Sequence, residues 1–523
     1  MGNSEANIHH YNKLNDDNEM ELYKNEFSKN LFESVYQKDG EVEVYGKILS
    51  AEEDSVEQIS IVSQLMKDYD MNFFQKGINS QYHPYCCEFI VDLKKVTKKQ
   101  QKMLKDNIGK WLKLILCFNK KLSKKSMIQG ILIFSASPII RRGCCLDFAD
   151  KPKPIEDVEI KKYEDFEVFL NEKTNEKTNT GYTFLNQINN IKHLYGEIYN
   201  VGQGNFIYLK INKSFSMFFD VGESKYPEDS LGEKNYIKQN NDRIVKLEPD
   251  CIMLSHWDLD HILGVYKFSD IFYKRPQWVT PDIKILGNQA SLSAKRLCAY
   301  LIKEGKLSFV NKRDDCFLII GDEDNGMIRF WQGKGEGNPS TLANNIGLII
   351  EVKINVNDNP KENQSKHKDK EKIKFQKLLF TGDCSYSKMN STILAEKYDF
   401  IVTSHHGAAS AVEKDSANLE LNTQNETNEV EEVFNFLAPD AQTGARAVIS
   451  TGVNPYGHPH IEHLTELYYR GFDVYYTTEC EYISFSVSSM KRLKMRRHHD
   501  RKKGKSPGVR IAVDHVIVSP SKS

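Results

Sequence analysis

The chain has 523 residues, 40% hydrophobic and 27% charged, too long for one compact core and of ordinary globular composition, so two or more domains are expected. Lys plus Arg (71) nearly cancels Asp plus Glu (72), which excludes a global field for nucleic acid or membrane and leaves that role to local patches. The 10 cysteines include no Cys-x-x-Cys, Met1 to Asp17 has no apolar signal core, and no apolar run approaches the ~20 residues that span a bilayer, so a cytoplasmic protein with free thiols and no membrane contact is expected.

In chain order, residues 1–190 read as an N-terminal α/β region of unknown function. Val56 to Tyr69 has a helix-like pattern, and Glu88 to Leu93, Leu112 to Phe118 and Gly130 to Phe134 are strand-like apolar runs. The near-repeat Asn171-Glu172-Lys173-Thr174, Asn175-Glu176-Lys177-Thr178 suits a solvated linker that buries too little apolar surface to order itself.

Residues 191–489 alternate short β-rich runs with helical stretches. Tyr195 to Asn200, Asn205 to Ile211 and Ser214 to Asp220 predict consecutive strands, and helical patterns cover Ile262 to Phe272, Ser291 to Lys303, Ser387 to Lys397 and Ile461 to Arg470. Further strands are predicted at Cys251 to Leu254, Phe317 to Ile320, Ile346 to Ile354, Lys377 to Phe380, Phe400 to Thr403, Ala447 to Ser450 and Tyr482 to Val487. Strands first, then strand and helix in alternation, is what a layered α/β sandwich requires. Residues 490–523 read as a basic C-terminal tail, from Lys491 and Arg492 through Arg501 to Lys505, with a β-like run at Val509 to Val518.

The chemistry-bearing residues gather at predicted strand ends. His256, Asp258, Asp260 and His261 follow one apolar strand and precede a helix. Four such side chains within six residues repel or compete unless a cation sits among them; the bland alternative is a polar turn with an Asp capping the helix. Leu378-Leu379-Phe380-Thr381-Gly382-Asp383 ends another strand in a carboxylate, and Ile401 to Gly407 ends a third in His405-His406. The loop Asn454-Pro455-Tyr456-Gly457-His458-Pro459 presents His458.

His-x-Asp-x-Asp-His, Thr-Gly-Asp and His-His-Gly at successive strand ends resemble the metal-binding motifs of the metallo-β-lactamase fold. The chain is most similar to the ComEC-type branch, the nuclease-like domain of bacterial DNA-uptake proteins. Val201 to Gly204, Phe219 to Gly222, Asn344-Asn345 with Leu348, and Asn454 to Pro459 carry the closer likeness, which covers roughly residues 195–487. It departs from that pattern at Asn205, where the branch usually has Asp, and Asp258 stands where zinc lactamases have His. The resemblance implies a four-layer αββα sandwich. It places His256 and Asp258 on one metal and Asp260, His261 and His406 on a second, with Asp383 bridging and His405 an alternative to His406. Asn345 and His458 would contact substrate or protonate a leaving oxygen.

Two divalent ions are therefore expected. The oxygen-rich donor set favours Mn²⁺ or Mg²⁺ over Zn²⁺ and suits phosphodiester cleavage, with Asp260 central to catalysis. The leading expectation is a DNA nuclease, with antiphage defence as a setting and a regulatory protein partner to hold it in check. The alternatives are a small-molecule phosphodiesterase or ester hydrolase, and a binding scaffold with weakened turnover.

Overall fold

The computed structural model describes residues 41–53, 56–65, 86–92, 96–108, 110–117, 127–134, 140–147, 172, 185, 188, 191–212, 214–224, 243–267, 276–311, 313–336, 339–356, 375–412, 438–452, 454, 457–489 and 491–498. Most of the near-repeat and the whole of Val509 to Val518 lie outside them.

The N-terminal part forms a closed barrel of β1 (Glu41–Glu53), β2 (Val56–Leu65), β3 (Cys86–Asp92), β4 (Trp111–Cys117), β5 (Met127–Phe134) and β6 (Ile140–Asp147), in the order β1-β2-β3-β5-β6-β4. Every pairing is antiparallel. The helix expected at Val56 to Tyr69 is instead strand β2 as far as Leu65. Its Val56, Ile59, Ile61 and Val62 are β-branched, and pairing with β1 on one side and β3 on the other satisfies its backbone. A helix at Lys98–Asp106 joins β3 to β4, opened by a reciprocal cap between Thr97 and Gln100.

The larger part is built on two mixed sheets. The first contains β7 (His193–Tyr199), β8 (Phe206–Ile211), β9 (Phe215–Val221), β10 (Cys251–Met253), β11 (Gln277–Pro281), β12 (Leu307–Val310), β20 (Tyr482–Ser488) and β21 (Lys491–His498), ordered β12-β11-β10-β9-β8-β7-β20-β21. The second runs β13 (Asp315–Asp322), β14 (Gly326–Gln332), β15 (Leu348–Asn355), β16 (Phe375–Phe380), β17 (Lys397–Val402), β18 (Asp440–Ile449) and β19 (Asp473–Tyr476), paired in chain order.

Three separate cores define four layers. Ile198, Leu209, Phe219, Met253, Ile350, Phe380 and Phe400 bury between the two sheets. Phe218, Ile252, Trp278 and Leu297 bury between the first sheet and its helices, among them Leu292–Lys303. Leu379, Ile401, Ala447 and Leu467 do the same between the second sheet and helix Ile461–Tyr469. Each strand alternates sides, so each sheet supplies two cores, and the result is an αββα sandwich.

Two local expectations change. Ser387 to Lys397 is not one helix: a 3-10 turn at Tyr386–Lys388 and a short helix at Ser391–Leu394 are followed directly by β17. Asn390 caps the second piece by accepting from the Thr392 amide, which restarts the chain there. Lys491 to His498, read as the opening of a tail, is the edge strand of the first sheet. Among the described residues no helix is long and apolar enough to cross a membrane.

Candidate metal centre

Strands β9 to β12 run parallel to one another, as do β16 to β19. Their C-terminal ends place the polar residues that follow them on one side of the sandwich, the usual position for sites in α/β sheets. From the first sheet come Asp220, at the end of β9, and Ser255 to His261, in the loop after β10 and on the helix Leu259–Ile262. From the second come Asp383 after β16, His405 and His406 after β17, and Ser450 after β18.

The imidazoles converge on one carboxylate oxygen. Asp383 Oδ2 lies 3.2 Å from His261 Nε2, 3.6 Å from His406 Nε2, 3.7 Å from His405 Nε2 and 3.9 Å from His256 Nε2. His256 Nε2 stands 3.4 Å from Asp258 Oδ2, and His406 Nε2 stands 3.5 Å from Asp260 Oδ2. Asp258 occupies the cap position before Leu259 yet makes no side-chain cap hydrogen bond; its carboxylate faces the imidazole instead.

The remaining ring nitrogens have partners that orient the rings. His406 Nδ1 donates to the Ser450 carbonyl at 2.6 Å. His261 Nδ1 donates to Asp220 Oδ2 at 2.8 Å. Ser255 gives its hydroxyl proton to the same oxygen at 2.7 Å, so its lone pair accepts from His256 Nδ1 at 3.0 Å. With each Nδ1–H committed, each Nε2 presents a lone pair to the cluster. These three Nε2 atoms are buried and none makes a hydrogen bond of acceptable geometry. Two triads result, His256–His261–Asp383 and Asp260–His261–His406, with the ligand atoms of each within 4.8 Å of one another. Buried lone pairs facing buried carboxylates form a donor set that fits divalent cations, which would satisfy both.

The electrostatics show the positive charge that the cluster calls for. Burial lowers the pKa of His261, but Asp383 and Asp220 outweigh it and hold the imidazole well above its usual value, so with no cation bound a proton sits on the ring that a metal would displace. Burial raises that of Asp383, but His261, His406 and His405 override it and hold the carboxyl well below the usual range. Asn205 supports the same carboxylate, its Nδ2 donating to Asp383 Oδ1 at 3.5 Å.

The backbone brings these groups together by close approach. A Cβ on Gly222 would stand 1.8 Å from the Asp260 carbonyl, so only glycine lets β9 pass beneath the helix carrying Asp260 and His261. On the other side, His405 and His406 adopt left-handed φ angles of 47° and 51°, a conformation that costs non-glycine residues on the order of 1 kcal/mol each. Neighbours clamp this turn. The Tyr386 hydroxyl accepts from the Ser404 amide at 3.4 Å, Ser404 Oγ donates to the Cys384 carbonyl at 2.7 Å, and His463 Nδ1 donates to the Ala408 carbonyl at 2.9 Å.

Among the other predicted residues, His458 is buried with its ring centroid 5.8 Å from that of His405. Asn454 holds it there, accepting from the His458 amide at 3.0 Å and donating to its carbonyl at 2.9 Å. Burial, reinforced by His405, His406 and His460, pushes the His458 pKa down to about 2. Asn345 points elsewhere, donating to the Glu336 carbonyl at 2.8 Å, whereas the neighbouring Asn344 reaches His405 Nδ1 at 3.4 Å. Asp220, Ser255 and Asn344 carry no role that is expected from sequence alone. The Phe219 to Gly222 motif was the available signal for Asp220, and Asn344 lies in the same Asn-Asn pair as Asn345.

No family model matches the sequence, and no curated protein matches it. Among solved structures, the chain has a slight likeness to one described as the crystal structure of a new diphosphatase from the PhnP family. The match is 9% identical with a TM-score of 0.21, covering 40% of this chain and 73% of that one.

Proposed function

We propose that this chain is a metal-dependent hydrolase of the metallo-β-lactamase superfamily, ComEC-type branch, which cleaves phosphodiester bonds of DNA at a centre for two divalent ions. The observation that carries this reading is the convergence of four imidazole Nε2 atoms on Asp383 Oδ2, with Asp258 and Asp260 at its flanks. His256, Asp258 and Asp383 would hold one ion, and Asp260, His261, His406 and Asp383 the other.

Bound there, paired divalent cations supply a hydroxide near neutral pH and charge stabilisation for a phosphoryl group. The protein's own residues do the rest. Asp220 orients both His256 and His261 through hydrogen bonds to their Nδ1 sides, one direct and one through Ser255. Asn205 aligns Asp383. His458, neutral at working pH, suits hydrogen bonding to substrate better than protonating a leaving oxygen. Asn344, whose Oδ1 is buried and without a hydrogen bond among the described residues, is a second candidate for substrate contact. Three carboxylates, among them Asp258 in place of the lactamase His, support hard ions and phosphodiester chemistry over β-lactam opening.

The test is turnover of plasmid DNA, linear DNA and bis(p-nitrophenyl) phosphate with Mn²⁺, beside metal analysis of the purified protein. Metal-dependent cleavage lost in Asp260→Ala is the expected result. Equal behaviour of wild type and Asp260→Ala would sink the proposal.

A further inference from the structure

Edge strand β21 carries Lys491, Arg492, Lys494, Arg496 and Arg497 within eight residues and no acidic residue. Its register with β20 puts Lys491 opposite Ser488, Lys494 opposite Ser486 and Arg496 opposite Ser484, and directly opposed residues share a face. Leu493 and Met495 turn the other way, onto the core between the sheets. Three cations and a row of serines therefore share the outer face of the sheet. Lys491, Lys494 and Arg496 are exposed and make no ion pair among the described residues. Arg497 lies instead over the Tyr475 ring, 4.8 Å from its centroid.

A charge of either sign is enough to stop an edge strand pairing with another chain. Edge protection therefore accounts for charge here but not for cations alone. The row also has a direction. Strand β20 is antiparallel to both β7 and β21, and Tyr482 pairs with Tyr199 on one side and His498 on the other. The C-terminal end of β21 thus comes level with Tyr199, two strands or about 10 Å away. The turn Val201 to Gly204 follows directly. Its Gly204 carbonyl accepts from Ser450 Oγ at 2.8 Å, and the Ser450 carbonyl in turn holds His406. At that end His498 stacks on Tyr482 with centroids 4.2 Å apart, and Arg243 lies 4.6 Å from the Tyr482 centroid.

We infer that the outer face of β21 and β20 is a binding track for the phosphate backbone of a DNA strand, leading toward the metal centre. The inference rests on the phosphodiesterase reading for what happens at the end of the track. The cations supply sequence-independent affinity, and the hydroxyls of Ser486 and Ser488 beside them donate to phosphate oxygens, whereas Ser484 is buried against His498. Lys494 and Arg496, two residues apart, are spaced by about 6.7 Å, which lets neighbouring side chains reach successive phosphates.

The experiment measures fluorescence anisotropy of a labelled DNA oligonucleotide with the full chain in EDTA, across a salt series, for wild type and Lys491→Glu/Lys494→Glu/Arg496→Glu. Turnover of bis(p-nitrophenyl) phosphate with Mn²⁺ is measured in parallel. The expected result is at least a tenfold loss of DNA affinity, a salt slope shallower by about 2 to 3, and unchanged turnover of the small diester. Should the triple variant fail to fold, Lys494→Gln and Arg496→Gln carry the test, each lowering the slope by about 1. Unchanged affinity and slope in folded variants would overturn the track, as would tighter binding to anionic phospholipid vesicles than to DNA. Small-diester turnover without DNA affinity would remove the track and leave the hydrolase. DNA affinity sensitive to these substitutions, with no turnover of any diester, would keep the track and remove the hydrolase.

Discussion

The two halves of the candidate metal centre are held by different physics. On the first sheet, His256 and His261 sit in a loop and helix of ordinary backbone, oriented from below by the buried Asp220 carboxylate. On the second, His405 and His406 sit in a left-handed turn held by a neutral hydrogen bond to the Tyr386 hydroxyl, another from His463, and the Ser450 carbonyl. The first half orients its rings through one buried charge on Asp220, itself at a left-handed φ of 59°, and the second carries the left-handed backbone on both histidines themselves. A charged anchor is sensitive to any change of its carboxylate, whereas a packed clamp spreads its hold over several weaker bonds.

The largest expected effect breaks both halves at once. Asp383→Ala removes the oxygen that all four imidazoles face, and metal content by elemental analysis should fall to background with turnover reduced 1000-fold or more, as an order-of-magnitude expectation. Next comes the charged half. Asp220→Asn keeps the shape but removes the charge and an acceptor, and metal affinity should fall about 10- to 100-fold by competition with a chelating dye. The clamped half should be more tolerant. Tyr386→Phe or His463→Gln each removes hydrogen bonding worth about 1 kcal/mol, so metal affinity should fall less than 10-fold. If these clamp variants cost more than Asp220→Asn, the contrast between the halves is wrong.

A smaller effect separates metal holding from stability. Glu197 is buried and accepts from Tyr195, Tyr199 and Arg243, none of them a candidate metal ligand. Burial raises its pKa, but Arg243 and the two tyrosines override this and bring it below the usual value of 4.5. Its stabilisation is therefore present above pH 4.5 and is lost as pH falls below that toward the folded-state value. Thermal unfolding of Glu197→Gln should show a loss of about 2 kcal/mol at neutral pH, discounted for the partly exposed Arg243. The gap from wild type should narrow as pH drops below 4.5, with metal affinity at neutral pH unchanged.

What could be read from the chain was whatever a few neighbouring residues settle among themselves. Alternating apolar runs gave most strands of the sandwich, and a strand followed at once by His256 to His261, by Gly382-Asp383 or by His405-His406 is a local pattern whose donor chemistry is visible without a fold. Asp258 was legible as a carboxylate, but that it faces His256 rather than capping its helix depends on coordinates. Asp220 acquires its role from partners 35 and 41 residues away, and no spacing rule announces that. At Val56 to Leu65 periodicity over a short run was ambiguous, and two flanking strands decided it. Lys491 to His498 has the composition of a solvated tail, yet one free sheet edge and the apolar pair Leu493 and Met495 made it a strand. Local chemistry and periodicity are written in the sequence. Which distant groups satisfy them is a matter of backbone pairing and close packing, which only the tertiary structure decides.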